Sequence, residues 1–298
     1  MAAADIKAYL AEKRAQVDAA LERYLPFDEA GGQILKAMRY SLFAGGKRLR
    51  PVLCLAGAEA VGGDPARAMY CACALEMVHT YSLIHDDLPG MDDDDYRRGV
   101  PTNHKVFGEG MAILAGDGLL TQAMALLTDP AAIGHVDPWR ALAAAQVIMR
   151  ASGMEGMVGG QAADLLAERQ EPDLAQVQFI HAKKTGALIT ASLQAGALVA
   201  GGDREQVGLL VRYGRRVGLA FQIADDLLNL SGDAAALGKA VGSDEARGKM
   251  TYPAVVGPAQ AKATGQRLVD EAAALIEPLG PNAWPLKALA AYIMARTH

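Results

Sequence analysis

The segments 69–83 and 179–199 are apolar on more than one helical face. No orientation of such a helix keeps its apolar side out of water unless other helices surround it. The pattern therefore predicts an all-α fold: a single large multi-helix bundle over 1–298 with a central layer and cavity. Bundles of this kind place ligand and metal sites inside, on facing helices. Alternating β-branched runs of the strand type are absent. Ala, Leu, Met, Gln, Glu and Arg dominate, and all are good helix formers.

Glycine and proline supply the punctuation, as at Gly45-Gly46, Pro89-Gly90, Pro172 and Gly201-Gly202. Between such marks the pattern predicts helices over 3–24, 30–44, 50–61, 65–88, 109–127, 137–156, 157–168, 173–200, 204–230, 243–258 and 262–297. The last is expected to break near Pro278 and Pro281. A chain of 298 residues can bury a large core. The net charge of −5 offers no basic surface to nucleic acid or to an anionic membrane.

Cys54, Cys71 and Cys73 lie in apolar helical sequence with no CxxC pair, so they read as buried reduced thiols rather than a zinc site. The N-terminal stretch mixes both charges with apolar residues and lacks the apolar core of a signal peptide. The longest uncharged run, 185–202, carries Thr190, Ser192, Gln194 and several glycines, and reads as a buried helix rather than a membrane span. A soluble, cytoplasmic protein is expected.

Residues 85–99 read HDDLPGMDDDDYRRG: Asp86, Asp87 and Asp92 to Asp95, then Arg97 and Arg98. Carboxylates this crowded raise one another's pKa unless a cation sits among them. Pro89 cannot continue the preceding helix, so Asp86 and Asp87 fall at its C-terminal end. The helix dipole is already negative there, and a bound cation would reverse that penalty. His79, Ser82 and Asp86 share one helical face, and the Leu-Pro-Gly-Met turn can fold Asp92 back toward Asp86. A solvated acidic loop is the plain alternative. An EF-hand is excluded, because Arg97 stands where that loop needs glycine. The all-oxygen donor set suits Mg²⁺ or Mn²⁺. Mg²⁺ takes one or two carboxylates and completes its shell with water and substrate phosphate, and Arg97 and Arg98 then fit as phosphate forks.

A second acidic pair, Asp225 and Asp226, stands in AFQIADDLLNL (220–230), with Asn229 on the Asp225 face. A surface turn of an amphipathic helix is the alternative, but paired carboxylates in apolar sequence are costly to bury unless paired or metal-bound. Two such sites, with Lys47, Arg50, Lys184, Lys239 and Lys249 dispersed around them, predict a cavity in which a diphosphate bridges several Mg²⁺ ions. The segments 232–239 and 242–249 imitate a Walker A loop, but have five residues between the glycines and no Ser or Thr after the lysine.

Several further motifs stand in one order: GGKRLRP (45–51), HTYSLIHDDLPGMDDDDYRRGVPTNH (79–104), GMVGGQAADL (156–165), KKTGALI (183–189), FQIADDLLN (221–229), LGK (237–239) and GKMTYP (248–253). With them the chain resembles, over essentially its whole length, the trans-prenyl diphosphate synthase family, its bacterial farnesyl diphosphate branch most closely. The resemblance implies an all-helical isoprenoid synthase fold, a homodimer, and Mg²⁺-dependent condensation of an allylic diphosphate with isopentenyl diphosphate, with three Mg²⁺ ions or Mn²⁺ in their place. It implies Asp86 and Asp92 as principal metal ligands, with Asp87 close by and Asp225 for a further ion. It implies Arg97 as an allylic diphosphate contact, and Lys47, Arg50, His79 and Arg98 as the isopentenyl diphosphate site. Lys184, Thr185, Gln222 and Lys239 match groups around the allylic diphosphate and the forming cation, with Lys249 nearby and Gln161 and Asp164 behind. The second motif usually ends in Asp, and here it ends in Asn229, a poorer Mg²⁺ partner.

Tyr81 and Ser82 lie five and four residues before Asp86, about 6–8 Å down the helix at 1.5 Å per residue. In the family, bulk there is a floor for the growing tail, so Tyr81 implies a C15 farnesyl product. A geranyl or geranylgeranyl product is the alternative within the family. Three other readings compete. A metal phosphohydrolase could use His85-Asp86 with His104 and His181, but leaves the tandem arginines unexplained. A terpene cyclase does not need GGKRLRP, and an inactive regulatory partner is hinted at only by Asn229.

Overall fold

The computed structural model of the chain describes residues 3–168, 171, 173–231 and 249–295. It is a helical bundle. Helix α1 (Ala3–Tyr24) leads to α2 (Gly32–Leu42), α3 (Leu49–Ala60) and α4 (Met69–Asp86). A two-residue ladder follows, β1 (Tyr96–Arg97) antiparallel to β2 (Val100–Pro101). Then come α5 (Asn103–Phe107), α6 (Glu109–Thr128), α7 (Pro130–Ile133), α8 (Pro138–Ser152), α9 (Met157–Ala167) and α10 (Leu174–Ile180). One turn of π-helix (His181–Gly186) joins α10 to α11 (Ala187–Val199). Finally α12 (Arg204–Ser231), α13 (Tyr252–Val256), α14 (Pro258–Leu275) and α15 (Trp284–Ala295) close the bundle.

The two segments apolar on several faces become the inner helices. Almost every residue of α4 from Tyr70 to Tyr81 is buried, and so are most of α11. Helix α11 packs on α3, α8 and α12, while α4 packs on α3 and α6. Helices α3 and α11 approach through glycine: a Cβ on Gly57 would lie 2.6 Å from the Leu193 carbonyl oxygen, and one on Gly196 would run into the Cys54 carbonyl. One apolar cluster gathers on α4, with Leu75, Met77 and Ile84 against Leu119 and Ile148. A second gathers on α12, with Tyr213, Val217 and Ile223 against Leu286 and Ile293. Cys54, Cys71 and Cys73 are free and buried, and burial pushes the Cys71 thiol up to about 12. Helix α6 is long and apolar enough to cross a membrane, but Ala112, Ala115, Leu119, Ala123 and Leu126 are buried within the bundle.

Four expected helices change shape. The helix expected over 137–156 ends at Ser152, where Gly153 turns extended. The helix expected over 173–200 contains the π-turn at 181–186. Residues 65–68 form a 3₁₀ turn before α4. The C-terminal helix expected over 262–297 starts at Pro258 and breaks into a 3₁₀ stretch, Glu277–Ala283, around Pro278 and Pro281. Of the helix expected over 243–258, residues 243–248 lie outside the described residues, and 252–256 form α13. The imitation Walker loops fall largely in the same undescribed stretch.

Candidate active site

Helix α4 ends where its sequence says it must, just before Pro89, and the chain then folds back on itself. The Asp92 N–H donates to the Asp86 carbonyl at 2.8 Å, and the Met91 N–H to the Leu88 carbonyl at 2.9 Å. The returning loop is tied to its surroundings. The Thr102 hydroxyl donates to the Asp94 carbonyl at 2.8 Å, and the Tyr40 hydroxyl on α2 donates to the Pro101 carbonyl at 2.8 Å. The Asn103 side-chain amide donates to the Ala37 carbonyl at 2.8 Å. The acidic run is therefore a turn tied to the bundle, with Asp93 and Asp95 exposed and Asp86, Asp87, Asp92 and Asp94 turned partly or wholly inward.

Within it the aspartates divide. Asp87 is buried, and its carboxylate takes Arg97 Nε at 2.6 Å and Nη2 at 2.5 Å. Arg97 also reaches Asp94 at 3.3 Å, so its fork holds carboxylates in this structure. Asp95 pairs with Lys105 on the outside. Asp86 and Asp92 face other cations. Burial pushes the Asp86 carboxyl up to about 6, Lys184, Arg97 and Lys249 oppose that rise, and Asp92 adds to it. Lys249 lies 3.2 Å from Asp92, across 157 residues of sequence. Burial works to lower the Lys184 ammonium, but Asp164, Asp86 and then Asp92 outweigh it and hold it above the usual lysine range. Lys184 Nζ donates to Asp164 at 2.6 Å.

The π-turn places Lys184 and Thr185. π-Turns inside helices recur at functional sites because one inserted residue re-aims the side chains around it. Here Gly160 of α9 lies against the inserted turn, where a Cβ would come 2.6 Å from Lys184 Cα. The turn is braced to the second acidic pair. His181 Nε2 lies 3.5 Å from Asp226, which also accepts the Tyr252 N–H at 2.7 Å. Tyr252 stacks on the His181 ring. Asp225 is partly exposed beside buried Asp226, and Asn229 is buried on the same helix as half-buried Gln222.

One to two turns before Asp86, His79 stands among guanidinium groups. Burial, then Arg50, Arg98, Arg97 and Arg48, hold its imidazole well below the usual histidine range. Burial lowers the Arg50 guanidinium to about 10 while Glu76 and Asp225 work the other way. Arg50 Nε is buried without a hydrogen-bond partner among the described residues. Lys47 is exposed at the mouth of the same loop. The Ser82 hydroxyl donates to the His79 carbonyl at 2.9 Å. Tyr81 is buried and meets His85 edge to face, with 5.8 Å between ring centroids. His85 itself is occupied by the Ile113 carbonyl at 3.0 Å, and Gly116 leaves room for its ring.

Residues of the motifs at 45–51, 79–104, 156–165, 183–189 and 221–229 are thus brought into one neighbourhood; Lys239 lies outside the described residues. A family model described as polyprenyl synthetase matches residues 32–275. The chain is 49% identical over 262 residues to the farnesyl diphosphate synthase of Geobacillus stearothermophilus, covering 88% of each.

The chain belongs to the polyprenyl synthetase family.

This polyprenyl synthetase is also 47% identical to geranylgeranyl pyrophosphate synthase 3 of Arabidopsis thaliana, over 98% of its own length and 82% of that protein. The crystal structure of an FPP/GFPP synthase from Zymomonas mobilis superposes with a TM-score of 0.87 at 38% identity, covering 98% of this chain and 100% of that one. The fold is therefore the all-α fold of those synthases, and the protein is a prenyltransferase.

The sequence pattern did not single out Glu76 or Arg48. Both are buried, and Arg48 Nη1 donates to Glu76 at 2.7 Å. The available signal was a lone carboxylate in the apolar run CACALEMV, three residues before His79.

Depression of the His79 pKa carries a stability consequence. The unfolded chain takes up a proton near pH 6.5 that the folded chain refuses, so stability falls as pH drops below that value. The loss grows as pH falls below that value. The variant His79→Gln is expected to show a shallower acid-side decline in urea-unfolding free energy.

Proposed function

We propose that this protein condenses isopentenyl diphosphate head to tail with dimethylallyl and geranyl diphosphates, releasing diphosphate and giving farnesyl diphosphate. The observation that carries this is the presence of two anion-ready sites of different chemistry along α4. One combines carboxylates with lysines: Asp86 and Asp92 with Lys184 and Lys249. The other is His79 among arginines, with the unpartnered Arg50 Nε. A reaction that joins two diphosphate substrates and breaks only one needs such a pair: one site that activates a leaving group and one that only holds.

The residues fit Mg²⁺. A carboxyl pushed up to about 6 beside a second aspartate gains from a cation. Among the described residues no three acidic, histidine or cysteine side chains converge, and Mg²⁺ needs only one or two carboxylates with water and phosphate completing its shell. Asp86, Asp92 and Asp225 would hold the ions, with Asp87 beside them. When bound, Mg²⁺ supplies charge stabilisation to the departing diphosphate.

The chain's own side chains do the rest. Lys184, Lys249, Arg97 and Lys239 bind the allylic diphosphate and stabilise the charge that develops on it as it leaves. Gln222 and Thr185 line the position of the allylic cation. His79, Arg50, Arg98 and Lys47 hold isopentenyl diphosphate so that its double bond attacks that cation. The proton then lost passes to the released diphosphate. The apolar interior keeps water away from the cation. Exposed Ile113 and Leu114 on α6 and Leu142 on α8 are apolar residues that a second copy would cover, in keeping with a homodimer. We assign the reaction to the cytoplasm and to one isoprenoid synthase domain over 1–298.

The test is incubation with Mg²⁺, isopentenyl diphosphate and geranyl diphosphate, with products sized by chain length. Farnesyl diphosphate, lost on chelation, is expected; phosphate release without condensation would overturn the proposal. In the same assay Tyr81→Ala is expected to move the main product from C15 to C20, since truncating the ring opens the space below Asp86. An unchanged C15 product would remove Tyr81 as the floor.

A further inference from the structure

Glu76 sits at the centre of the arginine site, yet it cannot itself touch a diphosphate. Its side chain is 1% exposed, inside α4, and it lies one turn before His79. Arg48 Nη1 donates to it at 2.7 Å, and Arg98 Nη2 lies 3.9 Å away. Arg48 continues outward, giving Nε to Asp18 at 2.8 Å and Nη2 to the Leu42 carbonyl at 2.8 Å. Arg98 Nη1 donates to the Gly45 carbonyl.

The two arginines on Glu76 share a second property. Arg48 has φ +49° and Arg98 has φ +53°, a left-handed backbone that L side chains rarely adopt. Arg48 opens α3 directly after the loop that carries Lys47, two residues before Arg50. Arg98 stands at the tip of the 96–101 hairpin. Strained backbone of this kind persists only where surrounding contacts over-determine it, and it clusters at functional sites. At Arg98 the positive φ belongs to the two-residue hairpin turn it forms with Gly99, at φ +81°; the contact the two arginines share is one buried carboxylate. Gly46 completes the clamp: a Cβ there would lie 2.6 Å from Arg98 Cζ, so glycine lets the guanidinium lie flat on the 45–50 loop.

We infer that Glu76 is the positioning residue of the isopentenyl diphosphate site, a buried counter-ion that ties Arg98 to the 45–50 loop and so fixes Lys47, Arg50 and Arg98 around His79 before substrate arrives, while Arg97 is held separately by Asp87 and Asp94. This rests on the function proposed above. A buried carboxylate among guanidiniums has two opposing effects on an anion site. It lowers the local positive potential, and it holds the cations in one arrangement; the inference is that the second dominates.

The experiment is steady-state kinetics of Glu76→Gln, which keeps the shape and removes the charge. The KM for isopentenyl diphosphate is expected to rise about tenfold, with kcat at saturation and the KM for geranyl diphosphate both within about twofold of the parent protein. A merely structural role would raise both KM values together and lower kcat. That result, or an unchanged or lowered KM for isopentenyl diphosphate, overturns the inference. If Glu76→Gln does not fold, Asp18→Asn loosens Arg48 from its half-exposed outer side, and a rise of about threefold in the same KM alone is expected; no rise overturns the inference. A parent protein that consumes no isopentenyl diphosphate overturns the proposed function itself, which separates the two failures.

Discussion

Asp86→Asn is expected to lower the rate of condensation by about 10²- to 10³-fold without lowering the melting temperature. The size follows from charge stabilisation at a leaving group, where removal of one well-placed group costs that much. The stability half follows from the surroundings. The Asp86 carboxyl is pushed up to about 6 by burial, so its charged form at pH 7 is disfavoured by the fold. A raised folded pKa means that the folded state would rather bind a proton, and neutral Asn removes that cost at pH 7. Activity and stability should therefore move in opposite directions. Thermal melts alongside product assays check both. A protein that loses activity and melts earlier would place Asp86 in the scaffold rather than in the chemistry.

Arg97→Ala is expected to cost about 3–5 kcal/mol of stability at pH 7, the loss typical of breaking a buried ion pair from one side. Asp87 is 3% exposed, and Arg97 is its cation at 2.5–2.6 Å. Without Arg97 a buried carboxylate is left uncompensated. Burial already raises the Asp87 pKa against the pull of Arg97, and losing Arg97 raises it further. The deficit should therefore be largest at high pH and shrink as pH falls and Asp87 takes up a proton. The double variant Arg97→Met with Asp87→Asn removes both charges and should recover most of the loss, because replacing both members of a buried pair is often close to neutral. Urea titrations of the two variants at pH 5 and pH 8 measure this. An Arg97→Ala protein within about 1 kcal/mol of the parent would fit the modest worth of a solvated surface pair instead.

These two aspartates are adjacent in sequence and differ in task for a reason of direction. On a helix, neighbours point about 100° apart, so Asp86 and Asp87 leave the end of α4 on different sides. The sequence shows the pair and the helix end but not which side faces the hairpin. Only the return of the chain, with the Thr102 and Tyr40 hydroxyls tying down the 94–101 segment, brings Arg97 to Asp87 and leaves Asp86 to Lys184.

Much was legible in the sequence because it is written locally. Apolar residues all round 69–83 demand enclosure, Pro89 ends the helix, and the Leu-Pro-Gly-Met turn returns Asp92, whose N–H meets the Asp86 carbonyl at 2.8 Å. The motifs, in their order, carry the family. What the tertiary structure decided are the features that need two distant segments to meet. The π-turn at 181–186 has ordinary helical sequence, and it exists where Gly160 of another helix presses on Lys184. Lys249 reaches Asp92 across 157 residues. Glu76 looks like a stray charge in an apolar helix until Arg48 and Arg98 arrive from two separate loops. Periodicity reports which face of an element is buried, since that depends on solvent alone. The partner of a buried charge depends on which other element is packed there, and no local pattern contains that.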